Sequence, residues 1–219
     1  MTKSDEKHVF EPTAFDYVNP KAKVVIVGIT PGNSQLDGNR EGKTPREIKR
    51  EFAFAGKMRP NLVNMLDYIG VNSLLNIESC KSLWEDDFDK VDMTSLLVEA
   101  TYEIKKDGTK EMFRHAEKIA KSETLTKMLE EGFVWNCKKY ESPQLFVACG
   151  PGVYDVLKRL QEEKKIKGEV VCIAHPSGAN MKCIQCYLGK KEPTTLSLQK
   201  YIEQAKEAKN CITHLKAQK

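Results

Sequence analysis

The chain contains short runs of consecutive apolar residues, and a glycine, proline or histidine closes each run. The clearest runs lie at residues 23–28, 144–150 and 169–174. Unbroken runs of β-branched and other apolar residues between turn residues are typical of strands that are buried on both faces. We therefore predict three strands of one buried sheet, with a further strand near residues 90–93.

Helical patterns alternate with these runs. Residues 44–47, Thr-Pro-Arg-Glu, combine an N-cap residue, a proline at the first helical position and a glutamate three residues after the cap, which predicts a helix start. Apolar residues at helical spacing follow at residues 60–69 and stop at Gly70. Further helices are predicted at residues 155–164 and 197–209, and at residues 111–131 with a break near Ser122. This alternation predicts an α/β fold, a three-layer α/β/α sandwich with a short, mostly parallel central sheet that binds ligands outside the carboxyl ends of its strands.

Composition adds little to this picture. The chain has 219 residues, a formal net charge of +4 and seven cysteines scattered from Cys80 to Cys211. We expect a single domain over residues 1–219 with an N-terminal arm at residues 1–20, and reduced, mostly buried thiols in a cytoplasmic protein without a leader peptide or membrane segment. The charge is too small to establish a nucleic-acid partner, since many cytosolic enzymes carry as much.

Two loops at predicted strand ends carry the candidate chemistry. Gly28-Ile29-Thr30-Pro31-Gly32 follows the first strand, and His175-Pro176-Ser177 follows the last one. A glycine-rich turn after a strand binds phosphates, nucleotides or nothing in particular, and a histidine at a strand end is more often structural than catalytic. The order and context of the two loops carry more information than either loop alone.

Taken together, these loops resemble the uracil-DNA glycosylase superfamily, whose members pair Gly-x-x-Pro-Gly after the first strand with a late His-Pro-Ser. The likeness extends to residues 52–55 before Pro60, where the family places an aromatic ring on the extruded base. It also includes residues 92–97, where many members carry Thr-Asn before two aliphatic residues. It covers residues 23–205 and implies a uracil-DNA glycosylase-like fold. The implied activity is hydrolysis of the N-glycosidic bond of uracil or of another deaminated or damaged base in DNA.

The resemblance also implies a role for each site residue. His175 would donate a hydrogen bond to the base oxygen, Thr30 would stand near the sugar, and Asp92 is the preferred nearby carboxylate, ahead of Asp37 and Glu41. The substrate pocket would contain Gly28, Ile29, Pro31, Gly32, Phe54, Thr94 and Ser95. Contacts to the DNA would come from Pro176, Ser177, Gly178, Asn180 and Met181. Met181 is the candidate for an apolar wedge, whereas we interpret Ile184 as a core residue.

Two positions depart from the family pattern. Active relatives usually have aspartate, asparagine or glutamate where this chain has Thr30, so activity is expected to be reduced or to need another group. Ser95 replaces the asparagine that reads the base, and a hydroxyl lacks the paired donor and acceptor of an amide. We therefore expect looser discrimination among bases.

The remaining expectations concern cofactors, partners and alternative functions. Cys183 and Cys186 have CxxC spacing, but no second close pair accompanies them, so we interpret them as neighbouring thiols and predict neither a metal nor a cofactor. DNA is the expected partner of a monomer that has no membrane contact and no obligate protein partner. Two alternatives stay open: a protein of the same fold that binds DNA or a nucleobase without cutting it, and an α/β enzyme of nucleotide metabolism.

Overall fold

The computed structural model describes residues 3–4, 7–13, 17–32 and 41–218. In chain order, the strands are β1 (Lys3–Ser4), β2 (His8–Glu11), β3 (Val24–Gly28), β4 (Val91–Ser95), β5 (Ala100–Ile104), β6 (Lys110–Met112), β7 (Leu145–Cys149) and β8 (Glu169–Ile173). The α-helices are α1 (Pro45–Phe52), α2 (Met58–Ile69), α3 (Val71–Leu75), α4 (Glu123–Met128), α5 (Trp135–Cys137), α6 (Pro151–Glu162), α7 (Met181–Tyr187) and α8 (Leu196–Ala217). Short 3₁₀ turns lie at Cys80–Trp84, Phe88–Lys90, Ala116–Lys121 and Gly178–Asn180, and one π-helical stretch covers Leu129–Val134.

A four-stranded parallel sheet with the order β4-β3-β7-β8 forms the centre of the molecule. Its strands are buried on both faces because helices cover both. Val24 and Ile26 of β3 belong to the core that they share with α2, α3, α7 and α8. Val25 and Val27 point to the other side, where they share a core with α4 and α6. The predicted three-layer α/β/α architecture is confirmed, and all four central strands are parallel.

A second sheet, which the apolar pattern does not predict, joins the N-terminal segment to the middle of the chain. Its order is β1-β2-β5-β6, and all of its strand pairs are antiparallel. The described residues of the expected N-terminal arm therefore include two short strands. These strands escape sequence analysis because strands of two to five residues, partly exposed, give no clear alternation of apolar and polar residues.

The helix expected at residues 111–131 is wrong before Ser122, whereas the break expected near Ser122 is confirmed, since Ser122 is the N-cap of α4. The chain instead completes β6, passes through the 3₁₀ turn Ala116–Lys121 and continues into α4 and the π-helical stretch. The helix start at Thr44 is confirmed, with both hydrogen bonds of the capping box between Thr44 and Glu47 in place. None of the described helices combines the length and the apolar composition that crossing a bilayer requires.

Candidate functional site

The carboxyl ends of the four parallel strands lie along one edge of the central sheet. Gly28, Ser95, Cys149 and Ile173 end β3, β4, β7 and β8, and both motif loops begin at this edge. Neighbouring strands of a sheet are about 4.8 Å apart, so β3 and β8, with β7 between them, end about 10 Å apart. The two motif loops therefore begin at points of this edge that one strand separates.

Gly28, Phe54 and Ser95 meet at one side of this edge. A methyl group added at Gly28 would lie 3.5 Å from the Ser95 hydroxyl oxygen and 3.9 Å from Cζ of the Phe54 ring. Gly28 is buried between them, and a larger residue here would fill the space beside the ring. Thr94 contributes its carbonyl oxygen at 3.9 Å from the same point, while its side chain is half-buried. The structure thus brings four of the predicted pocket residues together.

Phe54 has an unusual backbone conformation. Its φ of 51° lies in the left-handed region, which is costly for a bulky residue and persists only when surrounding contacts enforce it. The preceding residue supplies those contacts, because the carbonyl of Ala53 accepts hydrogen bonds from Trp84 Nε1 at 2.9 Å and from the Arg59 guanidinium at 3.3 Å. Phe54 is 9% exposed and also packs in the core. The turn therefore places a largely buried ring beside Gly28.

His175 enters the site from the end of β8 and is half-buried. The backbone N–H of Ser177 donates to its Nδ1 at 3.3 Å. Burial, and to a smaller extent the positive charge of Arg114, lower the pKa of His175 below its ordinary value of 6.5. The ring is therefore neutral at pH 7, and because Nδ1 accepts a hydrogen bond, the proton resides on Nε2.

The His175 loop is attached to the helix that follows Phe54. The side-chain amide of Asn61 in α2 donates to the Pro176 carbonyl at 2.9 Å. On the other side, a methyl group added at Gly150 would lie 3.6 Å from Cβ of His175. The Phe54 turn and the His175 loop are thus linked through Asn61 at the start of α2.

Thr30 uses its hydroxyl to join the first motif loop to the second sheet. The hydroxyl donates to the carbonyl of Glu99 at 3.0 Å and accepts from the N–H of Thr101 at 2.9 Å. Ile29 adds a backbone bond, since its carbonyl accepts from the N–H of Leu97 at 2.9 Å. The single proton of the Thr30 hydroxyl is therefore engaged within the fold, which leaves one lone pair of its oxygen for the expected contact near the sugar. Beyond Thr30, Pro31 is buried, and Gly32 has open space where a side chain would be.

Asp92 is not brought to this edge. It is the second residue of β4 and pairs with Val25, so it lies three residues, about 10 Å, before the carboxyl end of the strand. Its fully buried carboxylate accepts from Lys49 Nζ at 2.7 Å and from the Tyr140 hydroxyl at 2.7 Å. The expectation that Asp92 supplies a charge to the pocket does not fit this position. Among the other carboxylates, Glu41 is exposed, and Asp37 lies outside the described residues.

The residues expected to contact DNA form one short stretch after His175. Pro176 is buried, Ser177 accepts a side-chain hydrogen bond from Asn180 at 3.2 Å, and Gly178 is exposed at the start of a 3₁₀ turn. Met181 begins α7 and is 39% exposed, a high value for a large apolar side chain. Ile184 is 2% exposed, and its interpretation as a core residue is confirmed.

The cysteines form no disulfide bonds. All seven are free, and four of them are buried. Cys183 is half-buried and Cys186 is buried. Within the described part of the chain, no group of three or more histidine, cysteine, aspartate or glutamate residues is arranged to hold a metal ion.

Comparisons with known proteins were made for the whole chain. No protein-family model matches it. It is 26% identical over 192 residues to the uncharacterized protein YoxB of Bacillus subtilis (strain 168), across 81% of this chain and 73% of that protein. Among solved structures, it is similar to wild-type SMUG2 of Pedobacter heparinus, with a TM-score of 0.45 and 17% sequence identity, over 90% of this chain and 76% of that one.

Sequence analysis missed Arg114, the charged residue that acts on His175. It is the second residue after β6, within the first part of the segment expected to be helical. A signal was present in Gly108, which has a φ of 82° and ends the hairpin turn between β5 and β6. Read as a hairpin turn, that glycine would have placed residues 110–112 in a strand.

Proposed function

We propose that this protein is a DNA glycosylase that hydrolyses the N-glycosidic bond of uracil or of another deaminated or damaged base. The observation that carries the proposal is the position of His175. It lies at the same sheet edge as the cluster of Gly28, Phe54 and Ser95, and its Nδ1 accepts from the Ser177 N–H, which leaves Nε2 as the donor. The lowered pKa of His175 favours the neutral ring. The motif order that resembles the uracil-DNA glycosylase superfamily agrees with this arrangement.

The chemistry explains why a neutral donor is suited to this position. As the glycosidic bond breaks, negative charge develops on the base, and a donor aimed at the base oxygen stabilises that charge. A neutral imidazole with its proton on Nε2 donates one hydrogen bond to that oxygen. Water adds to the sugar carbon, the electron pair of the broken bond leaves with the base, and the proton that the water loses ends on the released base. His175 is therefore the residue that steadies the leaving group.

Phe54 and Ser95 account for base binding in this proposal. An enzyme that acts on a base must first take it out of the duplex, and stacking on an aromatic ring offsets part of the cost of unstacking. Ser95 offers one hydroxyl beside the ring, and a hydroxyl can adapt as donor or acceptor. The pocket therefore favours a flat base with a polar edge while discriminating weakly among such bases.

The rate is expected to be modest. Asp92, the preferred carboxylate, is enclosed in the core and provides no charge at the sugar. Two unit charges about 4 Å apart interact by roughly 4 kcal/mol at an effective dielectric near 20, which corresponds to about a thousandfold in rate. A glycosylase with Thr30 in this place should be slower than a carboxylate-bearing relative by a factor of that order.

Base release from defined oligonucleotides tests the proposal. Purified protein is incubated, up to stoichiometric amounts, with single- and double-stranded substrates that contain uracil, hypoxanthine or xanthine. Free base is measured by mass spectrometry, and abasic sites are measured by alkaline strand cleavage. His175→Ala should lose about a hundredfold to a thousandfold in rate. The matched control is His214→Ala, which changes an exposed histidine near the end of α8 and should keep the full rate.

Absence of base release from every substrate would reject the glycosylase proposal. A rate unchanged by His175→Ala would reject the role given to that residue. The engagement of the Thr30 hydroxyl within the fold favours a second candidate, a protein that binds DNA or a nucleobase without cutting it. Salt-sensitive DNA binding with no release of base at stoichiometric protein would support that candidate instead.

A further inference from the structure

A short segment from the second sheet runs along the carboxyl edge of the central sheet, which we call the mouth of the candidate site. At its start, the N–H of Phe113 donates to the carbonyl of Thr101 at 2.9 Å, and the N–H of Thr101 donates to the Thr30 hydroxyl. At its end, Cβ of Ala116 lies 3.3 Å from a methyl group added at Gly152, in the first turn of α6. Phe113 and Ala116 are both buried. The segment therefore runs from the end of β3 to the region just beyond β7, on the edge where His175 lies.

Arg114 and His115 are the exposed residues between these two buried anchors. His115 is paired with Glu117 at 3.1 Å. Glu111, on the other side of Arg114, forms an ion pair with Lys105 at 2.9 Å. Arg114 itself makes no hydrogen bond or ion pair within the described part of the chain. Its exposed guanidinium therefore has no contact within hydrogen-bond distance there, although its charge, after that of Lys105, helps to lower the pKa of the Glu111 carboxyl.

The position of Arg114 relative to His175 has an electrostatic consequence. The charge of Arg114 is near enough to contribute to the lowered pKa of His175. A permanent cation beside a neutral donor cannot serve as an acid, since the guanidinium does not lose its proton in proteins. It is suited instead to an anion, and its planar fork matches the oxygens of a phosphate.

We propose that Arg114 binds a backbone phosphate of the DNA strand next to the nucleotide whose base enters the pocket. This inference rests on the proposed function for the choice of ligand. In this proposal, Ser177 and Gly178 contact the strand from the His175 loop, and Arg114 contacts it from the segment between Phe113 and Ala116. Contacts from both segments hold the strand across the sheet edge while one base is turned inward.

Binding of an uncleavable DNA probe tests the contact independently of catalysis. The probe is a fluorescein-labelled duplex with one tetrahydrofuran abasic site, and its affinity is measured by anisotropy between about 50 and 200 mM salt. Arg114→Gln should weaken binding about tenfold or more and lower the slope of log K against log salt by about 1. Arg114→Lys should keep the slope while recovering only part of the affinity. Arg159→Gln removes the same charge from the far half of α6 and should change neither quantity.

A second readout locates the Arg114 side chain without DNA. The pKa of His175, followed by NMR, should rise toward its ordinary value in Arg114→Gln and stay low in Arg114→Lys and Arg159→Gln. An unchanged His175 pKa in Arg114→Gln would remove Arg114 from the mouth of the site and overturn the inference.

The outcomes separate this inference from the proposed function. If the wild-type protein releases base and Arg114→Gln binds the probe like Arg159→Gln, the phosphate contact is wrong and the glycosylase proposal stands. If the wild-type protein releases no base but loses affinity and slope on Arg114→Gln, the phosphate contact stands and the glycosylase proposal is wrong. If the wild-type protein does not bind the probe, the phosphate contact is wrong, and the measurement of base release alone decides the glycosylase proposal.

Discussion

Among the described residues, the imidazole of His175 makes a hydrogen bond through Nδ1 and none through Nε2. Ser177 N–H engages Nδ1, and the loop that carries both residues is tied to α2 through Asn61. The tautomer of a histidine is set by the hydrogen bond at its other nitrogen. A single backbone N–H two residues along the chain therefore decides that His175 can donate from Nε2.

The protonation of His175 should be visible in solution. Its pKa lies below 6.5, so the imidazole should stay neutral as the pH falls through that value, with Nδ1 unprotonated and Nε2 protonated in ¹⁵N NMR spectra. The unfolded chain takes up this proton at a higher pH than the folded protein does. The contribution of His175 to folding stability should therefore decrease as the pH falls from about 6.5 toward the folded pKa. A neutral ring protonated at Nδ1, or a pKa at or above 6.5, would contradict this assignment.

At the scale of elements, the first motif loop depends on the second sheet. The Thr30 hydroxyl bridges the backbone of Glu99 and Thr101 at the start of β5. Thr101 is completely buried, so water cannot replace that contact. The same residue that departs from the family pattern at the site is therefore the anchor between two sheets.

Removal of the Thr30 hydroxyl should destabilise the protein. Thr30→Val keeps the shape of the side chain but leaves the buried N–H of Thr101 without its acceptor, while the Glu99 carbonyl still accepts from the Thr101 hydroxyl. An unsatisfied buried donor costs about 1–3 kcal/mol in the free energy of unfolding, which urea denaturation measures. Thr30→Ser retains the hydroxyl and is the matched control. Equal stability of the two variants would show that the hydroxyl does not act as an anchor.

At the scale of the whole molecule, a buried cluster of polar residues joins helix, sheet and N-terminal segment. Lys49 of α1 contacts the carboxylate of Asp92 in β4 and also donates to the carbonyl of Tyr17. Tyr140, beyond α5, donates to the same carboxylate, and both burial and that charge raise the pKa of its hydroxyl. Because α1 ends two residues before Phe54, this cluster also sets the position from which the Phe54 turn begins.

Breaking the cluster on one side should be costly. Lys49→Met leaves the Asp92 carboxylate buried without its cationic partner, and we expect a loss of about 3–5 kcal/mol in the free energy of unfolding. Lys49→Met combined with Asp92→Asn removes both charges while keeping an acceptor for Tyr140, so it should be more stable than the single variant. Urea denaturation of the wild-type protein, Lys49→Met and the double variant measures the three free energies of unfolding. A loss below about 1 kcal/mol in Lys49→Met would contradict the importance of the pair.

Local patterns predicted the central elements well. The apolar runs locate β3, β7 and β8, and the capping residues at Thr44 and the glycine at position 70 mark helix ends that the structure reproduces. The residues of the second sheet escaped because their strands are short and partly exposed. In β6, two of three residues are exposed, so their pattern does not separate a strand from a polar helix.

The α/β architecture and the two motif loops at strand ends are predictable from the sequence, because both follow from the order of residues over short stretches. Which polar groups share the site depends on tertiary contacts. In the folded protein, the Asp92 carboxylate lies in the core, and Arg114 lies near enough to His175 for its charge to lower the pKa of that ring. The reason is physical: a side chain's surroundings depend on which strands pair and in what register, and those contacts join residues that are far apart along the chain.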